Sequence, residues 1–185
     1  MLITIDVQDG LRVTEETFER LASGGGDVRF ELVDGRLEVR EEMPRRWHQH
    51  IIKLLIRYFD QLGLYALSEV GAKVADSTIR LPDVAVLASA DRLGWAEMTL
   101  PAGEYHTLVE VVSDESESRD KETKLVEYAA AGLPNYWIVG EHPFRPEDGI
   151  IARYTNEGGL FRLTDTVDVS QLLGGAPAVS GQQPA

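Results

Sequence analysis

Cysteine is absent from this 185-residue chain. That excludes disulfide frameworks, thiol catalysis and zinc sites built on cysteine. No apolar run approaches the roughly 20 residues of a membrane-spanning helix, so no membrane partner is expected. The first residues, M-L-I-T-I-D-V, lack the basic segment and small-residue cleavage site of a secretion signal, and a cytoplasmic location is expected. Basic residues are scarce: 18 Lys and Arg stand against 31 Asp and Glu, a formal net charge of −13. Such a surface disfavours tight non-specific binding to duplex nucleic acid, which depends on Lys and Arg displacing counterions. A local basic patch or a bound cation overrides that average, and acidic excess by itself serves solubility. Neither a P-loop nor a G-x-G-x-x-G fingerprint is present, which argues against nucleotide chemistry of those kinds.

What is present is an ordinary globular balance, 43% hydrophobic and 26% charged residues. The length suits one domain with a sizeable core, expected over residues 1–173. The segment 174–185 is poor in large apolar residues and is expected to be disordered. Thr14 caps a short helix opened by Glu15 and Glu16, and Ser23-Gly24-Gly25-Gly26 stops it. Asp34-Gly35, between two alternating runs, marks a hairpin, and Pro44 closes that unit. Apolar residues at 51, 55, 58, 59 and 62 recur with helical period from Trp47 to Leu62, and Gly63 ends the helix.

Residues 64–75 and 83–88 read as two strands joined by a short turn, the second starting after Pro82, which has no N–H to donate. Residues 89–105 read as a surface loop with a helical turn near Arg92-Leu93-Gly94-Trp95. Leu108 to Val112 is a short buried strand. Ser116 or Ser118 starts a helix through Ala131, stopped by Gly132 and Pro134. Tyr136 to Val139 is another strand, and a second hairpin surrounds Asn156-Glu157-Gly158-Gly159. Strands interleaved with helices predict an α/β domain, a mixed sheet flanked by helices.

Two acids lie in apolar strand contexts, Asp83 in L-P-D-V-A-V and Glu110 in L-V-E-V-V. Buried carboxylates need a partner or a cation. If the two strands are neighbours the carboxylates converge, and then one is protonated or a hard cation bridges them. Mg²⁺ is such a cation, content with one or two carboxylates and several waters. The alternative is that each acid ends its strand or pairs with an arginine such as Arg80. Asp120, Lys124 and Tyr128 recur every four residues and share a helix face. That spacing is also that of a surface ion pair; in a site, Lys124 would lean over the carboxylates.

P-D at 82–83, L-V-E-V-V-S at 108–113 and S-R-D-K-E-T-K-L-V-E-Y-A-A-A-G-L-P-N-Y-W-I-V at 118–139 stand in order behind F-E-L-V-D-G-R-L at 30–37 and H-Q-H-I-I-K-L-L at 48–55. Together these segments, spread over residues 28–155, resemble the Uma-two family of endonucleases, with the restriction-endonuclease-like PD-(D/E)XK fold. The resemblance implies that Asp83 and Glu110 bind Mg²⁺, or Mn²⁺ in its place, with the Val111 backbone carbonyl completing the coordination. The lysine expected at position 112 is valine here. Related families carry it on the following helix, where Lys124 matches and Lys121 is a second candidate. Glu31 matches the hairpin acid, a further metal or water ligand, although by itself it reads equally as a solvent-facing strand residue. His48 matches the family's histidine, with His50 equally near. Two departures stand out: Asp114-Glu115-Ser116 follows Ser113 where a proline is usual, and Gly140 precedes Glu141.

The expected function is therefore Mg²⁺-dependent hydrolysis of nucleic-acid phosphodiester bonds, DNA before RNA. Nucleases of this fold often pair to address two strands, so a homodimer is compatible. The competing expectation is a binding module that keeps the fold without turnover, in which the acids point apart or the pocket is closed.

Overall fold

Thr14 caps helix α1, Glu15–Ala22, its Oγ1 accepting the Thr17 N–H at 3.2 Å. The computed structural model describes residues 12–22, 29–40, 45–92, 94, 99–112 and 118–174, with 29, 39, 40, 92 and 118–121 by backbone alone. The expected Ser23–Gly26 stop, Pro44, Asp114, Glu115, Ser116 and the tail beyond Gly174 lie outside these residues. Strands β1, Arg29–Val33, and β2, Arg36–Arg40, form the first hairpin. Asp34 and Gly35 turn it with φ of 50° and 74°, the left-handed pair that matches strand twist. Phe18 of α1 packs with Leu32 of β1.

Helix α2, Arg46–Gln61, follows the 3.6-residue period and buries Ile51, Ile52, Leu55 and Phe59. Each such side chain, fully buried, stabilises by about 1.5–3 kcal/mol. Gly63, at φ 75°, ends the helix.

The run 64–75 departs from expectation. It holds two strands, β3, Tyr65–Leu67, and β4, Gly71–Ala75, which belong to different sheets. Glu69, at φ 62°, redirects the chain between them. The expected turn before Asp83 contains a further strand, β5, Thr78–Arg80, reached through Ser77 at φ 57°. β6, Val84–Leu87, follows. The expected loop 89–105 contains a 3₁₀ turn at Ala90–Arg92, a short strand β7, Thr99–Pro101, and a second 3₁₀ turn at Ala102–Glu104.

Next come β8, Thr107–Val112, α3, Ser118–Ala130, and β9, Asn135–Glu141. β8 and β9 pair in parallel, so the chain must cross over between them, and α3 is that crossover. β10, Gly149–Asn156, and β11, Phe161–Asp168, form the second hairpin, and a short α4, Val169–Gly174, unforeseen in the sequence, succeeds it.

The strands form two mixed sheets, ordered β2-β1-β5-β4-β7 and β11-β10-β9-β8-β6-β3. In the larger sheet Val84, Val86, Val109 and Val111 join the core cluster of α2. Ala85, Leu87 and Leu108 join the cluster of α3's Tyr128. Alternate residues thus face alternate helices, as the two-residue strand period requires. By this parity Glu110, like Leu108, faces α3.

Candidate active site

β6 and β8 are antiparallel neighbours with Val84 opposite Val109. Continued by one residue beyond β6, that register sets Asp83 opposite Glu110. The connection is closed by a hydrogen bond, the Val111 N–H donating to Asp83 Oδ2 at 2.7 Å. The other carboxylate oxygen, Oδ1, lies 3.2 Å from His48 Nε2. His48 Nδ1 is buried and has no hydrogen-bond partner among the described residues.

Glu110 is met from α3. Lys124 Nζ donates to Glu110 Oε1 at 2.9 Å and to Glu31 Oε1 at 3.0 Å. The Tyr128 hydroxyl, one turn on, lies 3.4 Å from the same Glu110 oxygen. Glu31 also accepts from the Leu81 N–H at 3.2 Å and, through Oε2, from Arg80 Nη1 at 3.0 Å. Arg80 in turn donates Nε and Nη2 to the two oxygens of Glu127, at 2.7 and 2.9 Å. Charges therefore alternate along Glu127, Arg80, Glu31, Lys124 and Glu110, drawn from α3, β5, β1, α3 and β8. Arg80, Glu31, Lys124, Asp83 and Glu110 are all buried.

Burial pushes the Glu110 carboxyl up to about 7; Lys124 opposes the shift, and the charges of Asp83 and Glu31 add to it. Burial likewise raises the Tyr128 hydroxyl far above its ordinary range, with Glu110 adding to the effect. For Arg80 burial works against the cation, but Glu127 and Glu31 outweigh it and hold the guanidinium above its usual value.

Of the residues expected from sequence, Asp83, Glu110, Lys124, Glu31 and His48 come together here. Glu31 is buried, not solvent-facing. His50 is exposed on the other side of its helix. Val111 enters through its amide, which is spent on Asp83. The side chains of Asp120 and Lys121 lie outside the described residues. Arg80, weighed in the sequence only as a partner for the strand acids, instead joins Glu31 to Glu127, and Glu127 was not foreseen. No three His, Asp or Glu side chains form a ready metal cage among the described residues.

A mixed α/β fold whose interior strands gather two acids under a lysine from the crossover helix has a nuclease-like architecture. The model of the Uma2 family, described as "Putative restriction endonuclease", matches residues 15–183. The chain belongs to the Uma2 family. A crystal structure of a "putative nuclease belonging to DUF820" from Anabaena variabilis ATCC 29413 has the same fold, with a TM-score of 0.58 at 16% identity, covering 84% of this chain and 83% of that one. No curated protein matches the chain. Among the described residues no helix is long and apolar enough to cross a membrane.

Proposed function

We propose that this chain hydrolyses phosphodiester bonds of nucleic acid, DNA in preference to RNA, with Mg²⁺ or Mn²⁺ held by Asp83 and Glu110. The observation that carries this reading is the register that sets Asp83 opposite Glu110, with Lys124 bonded to Glu110. The donor set fits a hard divalent ion. Four carboxylates, Glu31, Asp83, Glu110 and Glu127, face two permanent cations, Arg80 and Lys124, a surplus of two negative charges. Two hard oxygen donors suit Mg²⁺, which keeps several waters of its own. The family description, naming restriction endonucleases, supports DNA as the substrate.

When bound, the ion would lower the pKa of a water and stabilise charge on the leaving oxygen. The Val111 carbonyl is the proposed third protein ligand. Lys124, its ammonium 2.9 Å from Glu110, would orient the attacking water or stabilise charge gathering on the phosphorus oxygens. His48 holds Asp83 from the α2 side. Glu31 acts as the holder of Lys124, since its oxygens accept from Lys124, Arg80 and the Leu81 amide.

A polyanion approaches so acidic a chain through local charge. On α2, Arg46, His50, Lys53 and Arg57 are all exposed. At 3.6 residues per turn they fall within roughly 60° of one another around the axis. This basic stripe occupies the solvent face of the helix whose buried face carries His48, and a phosphate backbone would follow it. The proposed homodimer is tested by sedimentation.

Glu110→Gln removes one donor and leaves the shape unchanged. Purified wild type should cut DNA with Mg²⁺ or Mn²⁺, and the variant should not, with both melting as folded proteins. Absence of cleavage of both DNA and RNA, with no divalent binding by calorimetry, would defeat the reading. A second reading, a binding module without turnover, is favoured by one observation: every acid of the cluster is already engaged by a protein partner. Retained nucleic-acid binding without metal uptake would select it.

A further inference from the structure

Resting on the nuclease reading, we propose that Arg80 and Glu127 are positioning residues for Lys124. The fork they make holds Glu31 and helix α3 so that the Lys124 ammonium spans Glu31 and Glu110.

Arg80 ends β5, three residues before Asp83, and is buried. Its guanidinium is bonded on two sides, to both Glu127 oxygens and to Glu31 Oε2. Glu127 stands three residues after Lys124 on α3, so the two side chains are neighbours on the helix surface. Arg80 therefore grips α3 beside the lysine. A lysine stem is flexible and its ammonium is a point charge with no directional fork; its position is set by the charges around it. Arg80 already satisfies Glu31 Oε2, leaving Oε1 to share Lys124 with Glu110. Without Arg80, the whole charge of Glu31 would draw the ammonium toward β1 and away from Glu110. Glu38, 3.9 Å from Arg80 and half exposed, is too distant to replace Glu127.

The test separates charge from geometry. Full-length wild type, Arg80→Gln, Arg80→Lys and Glu127→Gln are titrated with Mn²⁺ by calorimetry, assayed for DNA cleavage across pH, and melted. Arg80→Gln deletes a cation from the ionic chain, so Mn²⁺ should bind about tenfold tighter, while kcat falls about tenfold or more. A site that had merely loosened would lose both. Arg80→Lys should return Mn²⁺ affinity to the wild-type value without restoring kcat, because the charge is back and the fork is not. Glu127→Gln, at a side chain 24% exposed, should still melt as a folded protein and lower kcat; it carries the test if Arg80→Gln does not fold. Wild-type kcat and pH profile in all three variants, or weaker Mn²⁺ binding by a folded Arg80→Gln, would overturn the positioning role alone. A wild type that neither binds Mn²⁺ nor cuts overturns the nuclease reading and this role with it.

Discussion

Lys124→Met is the sharpest probe of the buried cluster. The lysine makes two charge-assisted bonds, 2.9 Å to Glu110 and 3.0 Å to Glu31, and is 2% exposed. Methionine fills similar space but leaves two carboxylates without their shared cation. Breaking a buried pair from one side costs about 3–5 kcal/mol, a large share of the roughly 5–15 kcal/mol that holds a typical domain. The loss should depend on pH. The Glu110 carboxyl already lies at about 7 because burial raises it more than Lys124 lowers it. Without Lys124 it rises further, while in the unfolded chain it returns to about 4.3. Wild type already loses stability as pH rises from about 4.3 to about 7, and the variant goes on losing it above that, so the pH-dependent deficit opens above about 7 and is complete above the variant's own value. Urea melts followed by tryptophan fluorescence should show a larger cost near pH 8.5 than near pH 5.5. Adding Glu110→Gln should recover a large part at pH 8.5, since both partners are then neutral. A cost under about 1 kcal/mol, or one that is the same at both pH values, would refute the buried ionic chain.

Other consequences are open to direct measurement. Because a proton on Glu110 competes with a divalent ion, Mn²⁺ affinity should climb by up to about tenfold per pH unit and level off above about 7; calorimetry in buffers of different ionisation enthalpy would show the released proton, and a flat profile would remove Glu110 from the metal seat. Arg46→Glu, Lys53→Glu and Arg57→Glu combined should weaken binding of labelled DNA across sequences and lower the salt dependence by about one counterion for each phosphate no longer neutralised; unchanged anisotropy curves would clear the stripe of any such role. Gly35→Ala, at φ 74°, should cost about 1–2 kcal/mol in denaturant melts without altering cleavage; a neutral result would mean that the turn relaxes freely.

The parts of the site legible in the sequence were those carried by local pattern. Asp83 and Glu110 were conspicuous as charges inside apolar strands, and the four-residue spacing singled out Lys124. The choice between His48 and His50 was also within reach, since 48, 52, 55 and 59 share one helical face with the core residues Ile52, Leu55 and Phe59. The Arg80–Glu127 pair was not, because 47 positions separate its members and no periodicity encodes a meeting between β5 and α3. The same holds for the division into two sheets. Glu69 takes a left-handed backbone conformation without being glycine, so the break before β4 carried no turn signal and a two-strand run looked like one. Glu31 looked solvent-facing because its burial depends on a second sheet that local pattern does not reveal.

One of the links between the two sheets is the three residues Leu81, Pro82 and Asp83, which lead from β5 to β6. Arg80 is the last residue of β5 in one sheet, and Asp83 stands just before β6 in the other. The groups of the buried ionic cluster thus straddle a mechanical joint: Glu31 and Arg80 ride on one plate, Asp83 and Glu110 on the other, and Lys124 is the bolt across the gap. A residue inserted beside Pro82 would leave both plates whole and still pull the bolt from its hole. Scaffold and ionic cluster in this protein cannot be altered independently, because the seam between the sheets is where the cluster is held.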